Sequence, residues 1–345
     1  MGKFFLLTAF IVLSYLSLHA QKIYKFKLSP IPTKVSNSLY NSLVVLDYRG
    51  DTTSMGFVHT GLMNYYSKVV TVIPVSSQFK NLFNSVIDST AANGKLLLQI
   101  TRLIFAEREN SFTEDGYFNM RANLYSKIGG HYQRVGSIDT LFYKSSIDPT
   151  KEILKAGNEI MAGFIIENLK VQPSGSILDY YDIINFSDIE KNEMPLYNKY
   201  NDYTDGLYLN YKSFKNQMPD RQIIVDNDDL DSSNIRTIEG DGISLEVKAH
   251  NVYGIVYKGH PYVVSEGVYY PLKKVGNDFF FVGKARDSFT LGDELVSDIA
   301  GGAAIGIFAK FTATFEMKID YKNGAFIRMK KILDFKGNPV EQKKK

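Results

Sequence analysis

The chain has 345 residues, of which 22% are charged and 44% hydrophobic, and its formal net charge is +3 at pH 7. These values are typical of a globular protein that is long enough for two domains, each with its own core. The nearly balanced charge argues against a nucleic-acid partner. Because the sequence contains no Cys, it excludes thiol nucleophiles, disulfides, iron–sulfur clusters and Cys-based zinc sites.

Residues 1–20 have the pattern of a secretory signal peptide. Lys3 supplies the positive charge, residues 4–18 form a short apolar run, and Ala20-Gln21 is a plausible cleavage point. We therefore predict export to the periplasm, the outer membrane or the medium, with residues 1–20 removed. Leu18 is larger than the residue usually found at its position before a cleavage point, so an uncleaved membrane anchor is the alternative.

The sequence pattern of residues 21–173 predicts an α+β domain in which helices cover one face of a mixed sheet. Apolar alternation and turn signals predict the strands, and 3.6-residue periodicity predicts the helices. The predicted strands are 43–48, 68–75, 95–105, 117–126 and 131–143, and the predicted helices are 56–66, 76–87 and 152–169. Asp148-Pro149 begins the last helix, as an N-cap acid followed by proline.

This order of elements, with the strand sequence Lys95-Leu96-Leu97-Leu98-Gln99-Ile100 and the closing helix 152–169, resembles two families of envelope proteins. One is the α/β domain of envelope-lipid transport auxiliary proteins, and the other is the N-terminal domain of TolB-like periplasmic proteins. The resemblance is one of topology and covers about residues 40–170. It implies an envelope location and brings no catalytic motif.

The rest of the sequence is predicted to form three parts. These are a connector over residues 174–204, a β-rich domain over residues 205–335 and a basic tail over residues 336–345. The β-rich domain has many short apolar stretches separated by turn residues, and Asn323-Gly324 is its strongest hairpin signal. We predict a mostly antiparallel domain, either a meander or a small barrel.

Several short motifs of this second half are similar to the recurring marks of a family of uncharacterised secreted bacterial envelope proteins. The motifs are Asp205-Gly206-Leu207-Tyr208, Phe214, Pro219, Val252-Tyr253-Gly254-Ile255, Gly267-Val268-Tyr269-Tyr270-Pro271-Leu272 and Asp320-Tyr321-Lys322-Asn323-Gly324. The resemblance implies an exported, envelope-associated protein with no assigned activity.

No catalytic, cofactor-binding or metal-binding residue is predicted from the sequence. His59, His131, His250 and His260 have no partner at a metal-ligand spacing, and a Gly-x-Ser-x-Gly turn is absent. The glycine spacing of 56–61 is that of a phosphate loop, but Leu62 stands where the lysine is required. The acidic run 226–231 predicts a solvated turn, with a calcium loop as the alternative.

Residues 299–309 form an apolar, small-residue segment that contains Gly302-x-x-x-Gly306. This spacing permits close packing, so Gly302, Ile305, Gly306 and Phe308 are the candidate interaction residues. Because the uncharged run is shorter than the roughly 20 residues that span a bilayer, packing inside the protein is favoured. Peripheral membrane contact or self-association is the alternative.

These observations predict a non-enzymatic binding or scaffold component of the cell envelope, with a protein or another envelope component as its partner. The enzymatic question stays open, although the missing motifs favour a protein without activity. The alternative is a hydrolase or a glycan-binding protein with a carboxylate-based site. The 23 Tyr residues suit sugar stacking, but Trp is absent.

Overall fold

A computed structural model describes residues 22–61, 64–109, 112–198, 203–226, 230, 235–238, 244–286, 312–333 and 336–339. The predicted signal peptide and the candidate residues Gly302, Ile305, Gly306 and Phe308 lie outside this part of the chain. Contacts divide the chain into two compact units, Met1–Leu178 and Asp179–Lys345. The finer division into a connector, a β-rich domain and a tail stays a prediction.

In the part of the chain that the structure describes, the first unit contains long strands and two helices. Its described strands are β1 (Lys22–Phe26), β2 (Tyr40–Asp47), β3 (Phe57–Thr60), β4 (Tyr65–Thr71), β5 (Gly94–Glu109), β6 (Glu114–Ile128), β7 (His131–Ser146) and β8 (Ser174–Leu178), and its helices are α1 (Val75–Val86) and α2 (Thr150–Asn168).

The described strands of this unit form two sheets. The larger has the order β2-β5-β6-β7-β8, in which β2 runs parallel to β5 and the other pairs are antiparallel. The smaller has the order β1-β4-β3, with β1 parallel to β4. The predicted α+β class and the mixed sheet are thereby confirmed.

The predicted helix over 56–66 is wrong, because this stretch forms the hairpin β3–β4. Gly61 and Asn64 adopt positive φ angles of 76° and 52°, and the Asn64 amide donates to the Gly61 carbonyl at 3.0 Å. Gly56, with φ 90°, also pairs with Phe105 of β5. Pairing with a distant strand therefore overrides the local helical pattern, as is common for short apolar runs.

One hydrophobic core joins both helices to the sheets. Phe79 and Phe83 of α1 and Ile153 and Ile165 of α2 are fully buried, or nearly so, in this core. Gly157 permits the close approach of α2, because a Cβ atom there would lie 2.6 Å from Phe105 Cε1.

Substituting alanine at Gly157 and at Gly163, two positions of the same helix, is expected to have opposite effects. At Gly163 the added methyl meets only Glu167 Oε1, at 3.7 Å, so the gain in helix propensity should stabilise the protein by about 0.5–1 kcal/mol. At Gly157 the clash with Phe105 should outweigh that gain and destabilise the protein by about 1–2 kcal/mol. Urea denaturation of both variants measures the difference; equal changes would contradict the predicted packing.

The second unit is built from short strands and short helices. Its described helices are α3 (Tyr180–Ile184), α4 (Phe186–Asn192), α5 (Pro195–Asn198) and α6 (Tyr211–Lys215). Its described strands are β9 (Gly206–Tyr208), β10 (Ile223–Val225), β11 (Ile235–Ile238), β12 (Ser244–Glu246), β13 (Gly254–Tyr257), β14 (His260–Ser265), β15 (Val268–Pro271), β16 (Lys273–Val275), β17 (Asp278–Arg286), β18 (Thr312–Ile319) and β19 (Phe326–Leu333).

The described strands of this unit form three small sheets, β10-β11-β12, β15-β14-β13-β9 and β16-β17-β18-β19. Every strand pair in them is antiparallel, as predicted. None of the helices that the structure describes, in either unit, is long and apolar enough to cross a membrane.

Several of the motifs that carry the sequence resemblance contact one another around Tyr253. The Tyr253 hydroxyl donates to the Gly324 carbonyl at 2.8 Å, and the Tyr211 hydroxyl donates to the Tyr321 carbonyl at 2.8 Å. The Tyr253 ring lies 5.5 Å from the ring of Phe214. These aromatic contacts hold α6, β13 and the turn before β19 together, so the motifs have a structural role here.

Candidate functional site

The long hairpin β5–β6 brings three glutamates together at the end where the chain passes from β5 to β6. Glu109 of β5 pairs directly with Glu114 of β6, and Glu107 lies two residues before Glu109, on the same face of the sheet. The neighbouring hairpin β3–β4 is held against β5 through Gly56 and Phe105. This contact places His59 of β3 beside the three carboxylates.

The imidazole of His59 lies among these carboxylate oxygens. Its Nδ1 atom is 3.5 Å from Glu114 Oε1 and 3.8 Å from Glu107 Oε2. Its Nε2 atom is 3.9 Å from Glu109 Oε1. The His59 and Glu107 side chains are 1% and 0% exposed, whereas that of Glu109 is 56% exposed. The cluster is therefore buried at Glu107 and open to solvent at Glu109.

Three polar atoms of this cluster are buried without a hydrogen-bond partner in the described part of the chain. They are both ring nitrogens of His59 and Oε1 of Glu107. A buried polar atom that makes no hydrogen bond costs about 1–3 kcal/mol, so such atoms are uncommon unless they serve a purpose.

Burial raises the pKa of Glu107 to about 7. The hydrogen bond from the His59 amide and the nearby Thr150 hydroxyl oppose this rise, and the neighbouring carboxylate of Glu114 adds to it. Since a low-polarity environment disfavours the charged form, this carboxyl group is partly protonated near neutral pH.

The backbone and the neighbouring side chains fix the position of His59. Its amide donates to Glu107 Oε2 at 2.5 Å, and the Thr150 hydroxyl, at the start of α2, donates to its carbonyl at 3.1 Å. The Tyr66 ring packs edge-on at 4.4 Å. The side-chain amide of Asn64 donates to Glu109 Oε1 at 3.0 Å and also to Glu114. Elements from four parts of the chain thus hold the cluster in one arrangement.

A second feature is the outer edge of β7. Its partner strand β8 pairs with it only at Tyr132 and Arg134. Beyond Arg134, as far as Ser146, no strand among the described residues lies along this edge. Leu141 and Tyr143 on its outward face are 43% and 53% exposed. Unpaired backbone donors and acceptors along an edge are a template for another strand.

A groove of about 510 Å³ runs between this edge and helix α2. It is lined by Gly136, Ser137, Ile138 and Thr140 of β7 and by Glu159, Ile160, Gly163, Phe164, Glu167 and Asn168 of α2. The glycines leave space, the apolar side chains form the floor, and the two charged lining residues are both acidic. An added strand would therefore point alternate side chains into this groove.

The structure separates the histidines that the sequence left without a role. His131 and His260 are exposed at the starts of β7 and β14, and His250 is exposed in a 3-10 turn. In the acidic run 226–231, Asp226 pairs with Arg236 at 2.7 Å, and residues 227–229 and 231 lie outside the described part. Only His59 is placed among carboxylates.

Sequence reasoning missed the glutamates around His59. Their one local signal is the alternation of Glu107 and Glu109 near the end of a strand whose other residues are mostly apolar. Acidic residues at alternate positions of a strand share one face. That alternation would have indicated a polar face, although it does not reveal the histidine.

Comparison with known proteins finds only distant structural likeness. No family model matches the sequence, and none of the curated proteins is similar to it. A crystal structure of an uncharacterised protein is 12% identical, with a TM-score of 0.24, and the match covers 43% of this chain and 96% of that chain. A crystal structure of protein XCC0632 from Xanthomonas campestris, of family DUF330, is 13% identical, with a TM-score of 0.28, and covers 49% of this chain and 99% of that chain. Neither likeness identifies a function for this chain.

Proposed function

We propose that the protein is an exported, non-enzymatic binding component of the cell envelope that captures an extended polypeptide segment at the edge of β7. The observation that carries this proposal is the edge of β7 beyond Arg134, along which no described strand lies, next to the groove between this edge and α2. Export itself rests on the sequence pattern of residues 1–20. Peptide capture by strand addition uses backbone hydrogen bonds for affinity and side-chain pockets for specificity.

Strand addition at β7 fits the alternation of its side chains. Gly136, Ile138 and Thr140 are half-buried and line the groove, whereas Asp139 and Leu141, at the alternate positions, are exposed. A strand that continues the sheet would follow the same alternation, so every second side chain would contact α2. Ile160 and Phe164 would meet an apolar side chain there.

The charges of the groove indicate the chemistry of the segment. Glu159 and Glu167 are eight positions apart on α2, a separation of about 12 Å along the helix axis. A strand covers that distance in about four residues. The segment should therefore carry two basic side chains at positions i and i+4, with an apolar side chain at i+2. Opposite charges at such positions favour association and its register.

The test uses a fluorescein-labelled peptide of ten residues with threonine as its background, lysine at i and i+4 and valine at i+2. Fluorescence anisotropy should show saturable binding, and a peptide with glutamate in place of lysine should bind at least about tenfold more weakly, a difference of about 1.4 kcal/mol. Amide hydrogen exchange should slow along β7 when the lysine peptide binds.

Two variants locate the binding. Gly163→Leu fills the groove, because an added Cβ there meets only Glu167 Oε1, at 3.7 Å, and it should abolish binding without loss of stability. Glu167→Lys should weaken binding of the lysine peptide. Glu152→Lys, the same charge change near the start of α2, should leave the affinity for this peptide unchanged. Equal binding of both peptides, or undiminished binding by Gly163→Leu, would contradict the proposal. Analytical ultracentrifugation tests for self-association. If the protein forms concentration-dependent dimers and Gly163→Leu abolishes them, the segment bound at β7 belongs to a second copy of this chain.

A further inference from the structure

The cluster around His59 has more negative charge than its surroundings balance. Among the described residues, the ion-pair contacts of Glu107, Glu109 and Glu114 are with His59 alone. Arg108 lies between two of these glutamates in sequence, but it projects from the opposite face of the strand and pairs with Asp115 at 2.6 Å. Carboxylates crowded together in a buried place repel one another unless a cation joins them.

We propose that His59, Glu109 and Glu114 bind a divalent transition-metal ion. One ligand atom from each of the three lies within 4.8 Å of the other two. Both ring nitrogens of His59 are buried without a hydrogen-bond partner in the described part of the chain, so one of them is available to a metal. This site is independent of the groove beside β7 and does not rest on peptide binding.

The distances agree with a metal-bound arrangement. A tetrahedral ion that holds its nitrogen and oxygen ligands at about 2.0–2.1 Å separates any two of them by about 3.3 Å. His59 Nδ1 is 3.5 Å from Glu114 Oε1, whereas the Nε2 atom of the same ring is 3.9 Å from Glu109 Oε1. Because one ion takes only one nitrogen of a ring, the glutamate nearer the other nitrogen would have to rotate towards the ion to complete the coordination.

The donor set selects the class of ion. An imidazole nitrogen with two carboxylate oxygens suits Zn²⁺, Mn²⁺, Fe²⁺ or Co²⁺, whereas Ca²⁺ and Mg²⁺ take oxygen ligands. Glu109 is 56% exposed on its side chain, which gives the ion access from solvent. Three protein ligands leave at least one position for water, an arrangement found in exchangeable and catalytic sites.

Two further residues hold the ligands in position. Glu107 accepts the backbone amide hydrogen of His59, and Asn64 donates to both Glu109 and Glu114. Outer contacts of this kind orient metal ligands and increase affinity. Asn64 adopts a φ of 52°, which asparagine tolerates better than most residues, so its backbone also fits this place.

The test uses the full chain, freed of metal by EDTA and then dialysed. Isothermal titration with Zn²⁺ should show one ion bound per chain, and Co²⁺ should give visible absorption bands characteristic of four- or five-coordinate sites. Glu109→Gln should weaken Zn²⁺ binding at least about tenfold while leaving the apo protein as stable as before, because this side chain is largely exposed. His59→Gln should abolish binding.

His131→Gln is the matched control, since it removes an exposed histidine outside the cluster and should leave the affinity unchanged. If His59→Gln fails to fold, Glu109→Gln still decides the question. Absence of stoichiometric Zn²⁺ and Co²⁺ binding would overturn the proposed site. Full affinity in Glu109→Gln would equally overturn the site. Peptide binding at β7 is unaffected in either event, so the two proposals fail separately.

Discussion

Replacing Gly56 with alanine is expected to lower the free energy of unfolding of the first unit by roughly 3–5 kcal/mol. The alanine Cβ would overlap the backbone carbonyl of Phe105. Residues that have a Cβ atom also rarely adopt the φ of 90° found at this position. The carbonyl belongs to the ordered strand β5 and cannot move aside cheaply. Either β3 separates from β5 or both strands shift, and His59 then leaves the carboxylates.

Gly61→Ala is the matched control in the same hairpin. Gly61 also has a positive φ, 76°, but its added Cβ would meet nothing within 4 Å. Gly61→Ala should therefore lower the free energy of unfolding only by the cost of placing alanine in the left-handed conformation, about 1–2 kcal/mol. Chemical denaturation followed by circular dichroism compares the two variants. A loss at Gly56 no larger than that at Gly61 would show that β3 is not held against β5 by this contact.

The long elements of the first unit were predictable from the sequence because their patterns are strong and local. Helix α1 repeats apolar residues at helical spacing, and the strands β5, β6 and β7 are joined by short turns, so consecutive strands pair as an antiparallel meander. Helix α2 begins at Thr150 as the Asp148-Pro149 signal indicates, but Pro149 and not Asp148 is the N-cap, and the Thr150 amide donates to Asp148 Oδ1 at 3.2 Å. For these elements the local preference and the tertiary structure agree.

The hairpin β3–β4 and the His59 cluster could not be predicted in the same way. The apolar residues Phe57, Leu62 and Tyr66 are the local signal for a helix, whereas the pairing of Gly56 with Phe105 decides the structure. His59 and Glu107 are 48 positions apart in the sequence. No local period connects residues that meet only because two hairpins pack against each other.

The open edge of β7 is also a property of topology. Its sequence alternates like that of β6, and nothing within it indicates that β8 would cover only its first residues. Whether a strand is central or at an edge depends on the segments that come after it. A binding surface made of backbone groups at such an edge leaves little trace in side-chain composition.

In the second unit, the largest expected effect is that of Asp278→Ala, a loss of about 3 kcal/mol. Asp278 at the start of β17 forms ion pairs of 2.8 Å with both Lys191 and Lys318. Lys191 on α4 is 5% exposed on its side chain. Among the described residues, the substitution leaves its buried ammonium group with one ion-pair partner, Asp188 at 3.6 Å, and with the Tyr321 ring at 5.1 Å. Removing one partner of a buried pair costs more than the pair contributes, because the remaining charge stays desolvated.

Asp188→Ala removes the exposed partner of the same lysine and should cost less than about 1 kcal/mol, since Asp188 is 50% exposed.

The pH dependence of the unfolding free energy then tests whether Asp278 acts through its ion pairs. Burial alone would raise the pKa of Asp278, but the hydrogen bonds and charges of Lys191 and Lys318 outweigh it and the pKa is lowered. A carboxyl group whose pKa is lower in the folded state stabilises the fold above its unfolded pKa, and this stabilisation is lost as the pH falls through the folded value. The difference in unfolding free energy between the wild type and Asp278→Ala should therefore be constant near neutral pH and shrink below about pH 4. A difference that stays constant down to pH 2, measured by urea denaturation, would show that Asp278 acts through packing and not through its charge.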